Sequence, residues 1–350
     1  MQEFDLINKY FKNLTKISSD PKIKYSSLDL KDDIAIINLN KTHDLIVSKD
    51  IFIENVHFLK EDGAKKISSK LLLTNLSDIA SSGGSPLFYM LGFTKNSNCD
   101  EKFIEEFCQG LKKIQKEFDI NLIGGDTSNS EKLAFSITIF GLVKKNKILQ
   151  RNSAKAGDLI FVSNYIGDAL LGLNIKNNLP KKILNYHQKL LDKHFFPKPR
   201  IDLAKKLIEE NLSCCSTDIS DGLLKDLSNI CNASNLDAHI YLSKIPVSPW
   251  AKKYLNENSN FSIQDLICGG DDYELIFSIN PKNLAKISNL SKKLKLKLTH
   301  IGEFYKPKST LKSPNKKFDV FLFKNFHNSS SNKFDHKNIL KITKLGYEHQ

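Results

Sequence analysis

The residues of this chain most able to do chemistry are aspartates set at the ends of apolar segments. Asp32-Asp33 opens an Ile-rich run, and Asp50 sits inside Val47-Ser48-Lys49-Asp50-Ile51-Phe52. Asp78 falls near the end of a helical repeat, Asp126 follows Gly124-Gly125, Asp218 and Asp221 flank Ile219-Ser220, and Asp271-Asp272 follows Gly269-Gly270. Asp is an ordinary turn and N-cap residue, and Asp221-Gly222 taken alone is a good helix start. Asp50 and Asp78 resist that reading. Asp is disfavoured inside a strand, and an anion is disfavoured near a helix C-terminus. A lone carboxylate in an apolar setting is costly, so a cation is its natural partner. Oxygen donors without a His or Cys cluster select a hard ion, Mg²⁺ rather than zinc. The pairs Gly83-Gly84, Gly124-Gly125 and Gly269-Gly270 allow backbone to approach a ligand closely, and backbone amides then cradle phosphate oxygens. Neither G-x-x-x-x-G-K-[ST] nor G-x-G-x-x-G occurs, which excludes the P-loop and the dinucleotide fingerprint. No Ser/His/Asp or Cys/His arrangement emerges. Among nine histidines His57 stands apart, because it closes the apolar-acidic segment Ile53-Glu54-Asn55-Val56-His57-Phe58.

These residues need elements to hold them. Residues 33–39 and 45–53 read as strands, rich in Ile and Val. Ile67, Leu71, Leu72, Leu76 and Ile79 recur at three and four, so 64–80 reads as a helix, stopped by Ser81-Ser82-Gly83-Gly84-Ser85-Pro86. A strand at 87–93, an amphipathic helix at 101–118, a short strand at 121–124 entering a Gly-Gly turn and a long alternating strand at 132–143 follow. The polar stretch 144–158 marks the boundary between domains 1–150 and 151–350. The second half begins with a strand at 159–162 and continues with helices near 167–175, 183–194, 200–210 and 222–234. A strand at 273–279, a helix at 282–293 and a strand at 297–303 complete it. Both halves alternate strands and helices, the signature of α/β or α+β layers.

The 350 residues carry a net charge of +13, which invites a nucleic-acid reading. Among 52 basic residues, however, only Arg151 and Arg200 are arginines, the rest being lysine. Nucleic-acid readers favour the planar arginine fork, so the surplus reads as background lysine on solvated faces. Six cysteines without a C-x-x-C pair suit thiols in a reducing compartment. No apolar run reaches membrane-span length, and the N-terminus lacks the order of a secretory signal. A soluble cytoplasmic protein, with neither nucleic acid nor membrane as partner, is expected.

Taken in order, several segments resemble the thiamine-monophosphate kinase family. They are Glu3-Phe4-Asp5-Leu6-Ile7, Asp32-Asp33-Ile34-Ala35, Ser48-Lys49-Asp50 with Val56-His57-Phe58-Leu59, and Asn75-Leu76-Ser77-Asp78. Further on come Leu122-Ile123-Gly124-Gly125-Asp126-Thr127, Asp218-Ile219-Ser220-Asp221-Gly222-Leu223, Gly269-Gly270-Asp271-Asp272-Tyr273-Glu274-Leu275 and Gly346-Tyr347-Glu348-His349. The resemblance implies the two-domain fold of the aminoimidazole-ribonucleotide synthetase-like superfamily, with an N-terminal mixed sheet and helices followed by a C-terminal α/β domain. It implies ATP-dependent phosphorylation of thiamine monophosphate to thiamine diphosphate, several Mg²⁺ ions, and a homodimer joined through the N-terminal domains. By motif position Asp33, Ser48, Lys49, Asp50, Asp78, Asp126, Asp218 and Asp221 would be metal ligands. Cys108, Gly125, Asp126, Arg151 and Ser220 would contact ATP, and His57, Asp271 and Tyr347 would line the thiamine-phosphate site. Lys31, Lys49, Asp271 and Cys108 depart from the family's usual Gly, small hydroxyl residue, Glu and aromatic. Arg200, in Phe196-Pro197-Lys198-Pro199-Arg200, matches a family segment but reads equally as the structural start of a helix.

The chemistry suits the residues. The acceptor is a phosphate, already anionic near neutral pH, so transfer needs charge neutralisation more than a strong base. The retained arginine, Arg151, suits a phosphate clamp. Two alternatives are an aminoimidazole-ribonucleotide synthetase-like enzyme and a non-catalytic polyanion binder. Selenophosphate synthetase is disfavoured because the first cysteine is Cys99. The hydrogenase maturation enzyme is disfavoured because the sequence ends His349-Gln350 rather than in cysteine.

Overall fold

The computed structural model describes residues 25–26, 31–32, 34–39, 41–97, 99–307, 320–324, 339–340 and 346. It divides into two compact units. One reaches Ile148 and takes in Phe195–Lys205; the other holds Leu149–His194 and the chain from Lys206 onward.

Among the described residues the first unit has a mixed six-stranded sheet and two long helices. Its strands are β1 (Tyr25–Ser26), β2 (Ala35–Asn38), β3 (His43–Ile53), β4 (Ser85–Lys95), β5 (Asn121–Asn129) and β6 (Ala134–Lys144), in the order β1-β2-β3-β6-β4-β5. The β4/β5 pair is parallel and the other pairs are antiparallel. Strand alternation sends Phe135, Ile137, Ile139 and Val143 of β6 into the core and turns Ser136 and Thr138 to the opposite face. Helix α1 (Ala64–Ser81) packs on β3, β4, β6 and α2 (Glu101–Phe118), which explains why even its Ser68, Thr74 and Asn75 are buried. Helix α2 is amphipathic, with Phe103, Phe107, Leu111 and Ile114 inward. Its Asp100 N-cap accepts a hydrogen bond from the Phe103 amide at 2.8 Å. Rings of Phe93, Phe103 and Phe107 gather around Phe135.

The pair Gly124-Gly125 does not form the expected turn. Strand β5 continues through both glycines to Asn129 alongside β4, with a register shift between Leu122 and Gly124. The strands approach so closely that a Cβ on Gly125 would lie 1.9 Å from the Leu91 carbonyl oxygen, so only glycine fits. A Gly-Gly pair is read as a turn when seen in sequence, yet glycine also marks a close backbone approach within a strand.

The second unit carries a seven-stranded sheet among the described residues. Its strands are β7 (Leu159–Ser163), β8 (Ser216–Asp218), β9 (Asp237–Tyr241), β10 (Leu275–Ile279), β11 (Leu298–Tyr305), β12 (Val320–Phe323) and β13 (Ile339–Leu340), in the order β13-β12-β9-β11-β7-β10-β8. Only β9 and β12 pair in parallel. Among the described residues seven helices follow along the chain: α3 (Asp168–Asn177), α4 (Asn185–Phe195), α5 (Ile201–Glu209), which runs from the first unit into the second, α6 (Leu223–Ser234), α7 (Pro249–Glu257), α8 (Ile263–Cys268) and α9 (Leu284–Leu294). The core centres on Ile160, Val162, Leu171, Leu190, Leu227, Ile240, Leu266 and Ile276. Helices α7 and α8 were not expected, although both start with clear signals. Ser248 caps Ala251 with Pro249 in the first turn, and Ser262 with Asp265 forms a capping box. Among the described residues no helix is long and apolar enough to cross a membrane.

Candidate functional site

In the first unit the carboxylates sit where strand parity puts them. Ser48, Asp50 and Phe52 share one face of β3, opposite the buried Ile139, Ile137 and Phe135 of β6. Asp78 comes from the last turn of α1, which covers that face. The Ser48 hydroxyl donates a 2.6 Å hydrogen bond to Asp78 Oδ2, a charge-assisted contact that fixes the carboxylate against the strand. Lys49 is one residue out of phase. Its ammonium lies on the other face and donates to the hydroxyls of Ser136 and Thr138, each at 3.3 Å. Expected among the metal ligands, the Lys49 side chain does not join Ser48 and Asp50, and an ammonium has no lone pair to offer a cation. Asp126 lies exposed on the edge strand β5, in register with Gly92. His57 follows β3, stacked on Phe52 at 5.5 Å, and its Nδ1 accepts from the Ile53 amide at 3.0 Å. That bond places the proton of the neutral ring on Nε2. Cys108 is exposed on α2 and adds to the burial that raises the Tyr89 hydroxyl above its ordinary range. Asp33 and Tyr347 lie outside the described residues.

In the second unit two acidic loops lie against each other. The first, residues 218–222, leaves the end of β8, where Asp218 is 1% exposed. A helix does follow Asp221-Gly222, with Gly222 at the N-cap and no side-chain cap, and the carboxylate that ties down the loop before it is Asp226, in the first turn of α6. Its Oδ2 accepts from the amides of Ser220, Asp221 and Gly222 at 3.0, 3.0 and 3.2 Å. An Asp four residues after a D-G pair was the available signal. The second loop, 269–274, docks through the Asp271 amide to the Ser220 carbonyl and the Tyr273 amide to the Ile219 carbonyl, both at 2.8 Å. A Cβ on Gly270 would stand 2.2 Å from the Ser220 carbonyl oxygen. Asp271 and Tyr273 both adopt left-handed φ, at 71° and 48°. Such backbone is tolerated by Asp but unusual for Tyr, and it clusters at ligand sites. Arg151 is buried in a short 3₁₀ turn, and its Nε donates to the Thr217 hydroxyl at 3.1 Å, one residue before Asp218. Gly346 is packed against the Asp221 carbonyl and the Lys225 stem.

Three further buried carboxylates brace this loop pair. Asp272 accepts from the Gly167 and Ala169 amides at the start of α3, at 2.7 and 3.3 Å. Burial raises its carboxyl well above the usual range, against those bonds. Glu274 accepts from Ser163 and Asn164 at 2.5 and 2.9 Å. Asp168 accepts from Ser248 at 2.6 Å, while its Oδ2 has no hydrogen-bond partner among the described residues. Burial, opposed by the Ser248 bond, pushes the Asp168 carboxyl up from 3.8 to about 6. A raised carboxyl binds its proton more tightly in the folded state. Its contribution to stability is therefore present below about pH 4 and is lost as pH rises through 6. Asp168→Asn should raise stability at pH 8 by about 2 kcal/mol, with the gain shrinking toward pH 4. Urea unfolding at the two pH values checks this.

Among the described residues no three His, Cys, Asp or Glu side chains group closely enough to hold a metal unaided. The donor set is nevertheless all oxygen and weighted to carboxylate, as a Mg²⁺ site shared with substrate phosphates requires. A cavity of about 520 Å³ lies elsewhere, at the C-terminal end of α3, between Asn174, Tyr186, His187, Tyr254 and Glu257. Its polar groups are engaged with one another: Tyr186 donates to Glu257, and Asn174 donates to the Tyr254 hydroxyl.

Comparison with known proteins bears on this site. Residues 31–143 match AIR synthase related protein, N-terminal domain, and residues 155–312 match the corresponding C-terminal domain. The thiamine-monophosphate kinase of Buchnera aphidicola subsp. Schizaphis graminum is 37% identical over 308 residues, covering 86% of this chain and 90% of that protein. The chain belongs to the thiamine-monophosphate kinase family. Its fold agrees with membership. The thiamine-monophosphate kinase of Stenotrophomonas maltophilia K279a superposes with a TM-score of 0.72 at 30% identity, over 91% of this chain and 96% of that one. A structure described as AaThiL complexed with AMPPCP and TMP gives a TM-score of 0.81 over 100% and 97% of the two chains, and at 24% identity that likeness is one of fold. The two AIR synthase related domains follow one another along the chain, at residues 31–143 and 155–312.

Proposed function

We propose that this chain transfers the γ-phosphoryl group of ATP directly to thiamine monophosphate, giving thiamine diphosphate. The observation that carries the reading is family membership along most of the chain in a protein whose Ser48–Asp78 pair and Asp226-tied loop hold oxygen donors ready-made. In the first unit we assign Ser48, Asp50, Asp78 and Asp126, with Asp33, to Mg²⁺; in the second, Asp218 and Asp221. Bound there, Mg²⁺ neutralises charge on the polyphosphate and on the transferring group. The Arg151 guanidinium, held by Thr217, clamps phosphate, and the close-packed backbone at Gly125 together with Ser220 and the α2 position of Cys108 serves ATP. We assign His57 to the acceptor phosphate, and Asp271 and, by motif position, Tyr347 to the cationic thiamine moiety. The acceptor oxygen is already anionic, so no side chain needs to act as a strong base.

A homodimer is part of the proposal. Ile51, Met90, Leu122 and Ile123, on β3, β4 and β5 of one sheet, are 50, 41, 45 and 56% exposed. All nine residues of the edge strand β5 are exposed. An apolar edge strand left open is an aggregation hazard unless another chain covers it. The six free thiols suit the cytoplasm.

Incubation of the purified protein with ATP, Mg²⁺ and thiamine monophosphate, resolved by chromatography, should yield thiamine diphosphate and ADP in equal amounts. Chelation of Mg²⁺ should abolish both products. Consumption of ATP without a thiamine diphosphate peak would contradict the assignment.

A further inference from the structure

We infer that His194 is a positioning residue for Asp271 and so helps set affinity for the acceptor. The inference rests on the reading of Asp271 as an acceptor contact. The two carboxylates of the Asp271-Asp272 turn go separate ways. Asp272 turns inward to the first amides of α3. The Asp271 side chain, 31% exposed, places Oδ2 3.4 Å from Nδ1 of His194, whose own side chain is 4% exposed in the last turn of α4.

The imidazole is held from behind. A Cβ added to Gly172 of α3 would lie 2.2 Å from the Leu190 carbonyl oxygen and 2.9 Å from the His194 Cβ. Helices α3 and α4 therefore meet at van der Waals contact where His194 emerges, and the ring has little freedom to leave. One helix pair thus receives both aspartates of the turn: α3 takes Asp272 on its amides, and α4 presents His194 to Asp271. The left-handed backbone of Asp271, at φ 71°, already directs its side chain, and the buried ring nitrogen selects among the remaining rotamers. With a proton on Nδ1 the ring faces the Asp271 carboxylate directly, at 3.4 Å. A preset carboxylate costs less ordering when a cationic acceptor binds.

The test is a double-mutant cycle in steady-state kinetics on the full chain. His194→Gln should raise the KM for thiamine monophosphate about tenfold, with kcat and the KM for ATP changed less than twofold. Asp271→Ala should raise the same KM at least as much, and adding His194→Gln to it should change nothing further. Equal shifts in both KM values together with a lower unfolding midpoint would overturn the positioning role, as would a full additional effect in the Asp271→Ala background. If His194→Gln does not fold, His194→Phe, which keeps a planar ring and has no donor, takes its place in the same cycle. An unchanged acceptor KM in Asp271→Ala alone would overturn the reading of Asp271 itself, and the inference with it.

Discussion

Asp78→Asn should lower thiamine diphosphate formation by roughly 10³-fold while leaving the protein folded. The size of the loss follows from geometry. Asp78 is fixed against β3 by the 2.6 Å bond from Ser48, so its carboxylate is already in place before any ligand arrives. Asn keeps the shape and can still accept from Ser48, but it removes a full negative charge from the proposed metal-binding set. Stability should not suffer. Asp78 sits in the last turn of α1, where the helix dipole opposes an anion. The unfolding midpoint should hold or rise slightly. Wild-type turnover in Asp78→Asn would remove this residue from the metal site.

Asp226→Ala should cost both stability and activity. One carboxylate oxygen, 1% exposed with its side chain, satisfies three consecutive amides. Truncation leaves those donors without their acceptor and takes an acidic group from the first turn of α6. Each unsatisfied buried donor costs about 1–3 kcal/mol, and water reaching the half-exposed Ser220 and Asp221 offsets part of that. A net loss of about 3 kcal/mol is expected, read as a lower urea midpoint at unchanged slope. The loop that carries Asp218, Ser220 and Asp221 should lose its fixed form at the same time, so activity should fall by at least about tenfold. Full activity in a destabilised variant would show that the loop's form matters to folding alone.

The long elements were legible because their periods are strong. Helices α1 and α2 and strand β6 follow from apolar spacing, and the acidic positions followed from residues that broke their local rule, Asp50 in a strand and Asp78 at a helix end. Strand parity was also readable: Ser48 and Asp50 share a face that Lys49 cannot, whatever the motif suggests. Other features needed the tertiary structure. Gly125 is glycine because the Leu91 carbonyl approaches, a contact between strands over thirty residues apart. Helix α8 and strand β8 are too short for periodicity to register, and β9 lacks the unbroken apolar run of β7 because Asp237 and His239 interrupt it. Asp226 looked like an ordinary first-turn acid, and only the curl of residues 220–222 back over it reveals its work. The opening of β5 along its whole length is likewise invisible in a sequence that reads as an apolar strand ending in glycines.

The central claim is that the γ-phosphoryl group passes directly from ATP to thiamine monophosphate. A single-turnover experiment with γ-labelled ATP, Mg²⁺ and excess enzyme, quenched over time and separated into nucleotide, thiamine and protein fractions, tests it most directly. Label should leave ATP and enter thiamine diphosphate at one rate, with none retained on the protein. Label held covalently on the protein before it reaches thiamine, or ATP cleavage with no labelled thiamine diphosphate, would contradict it.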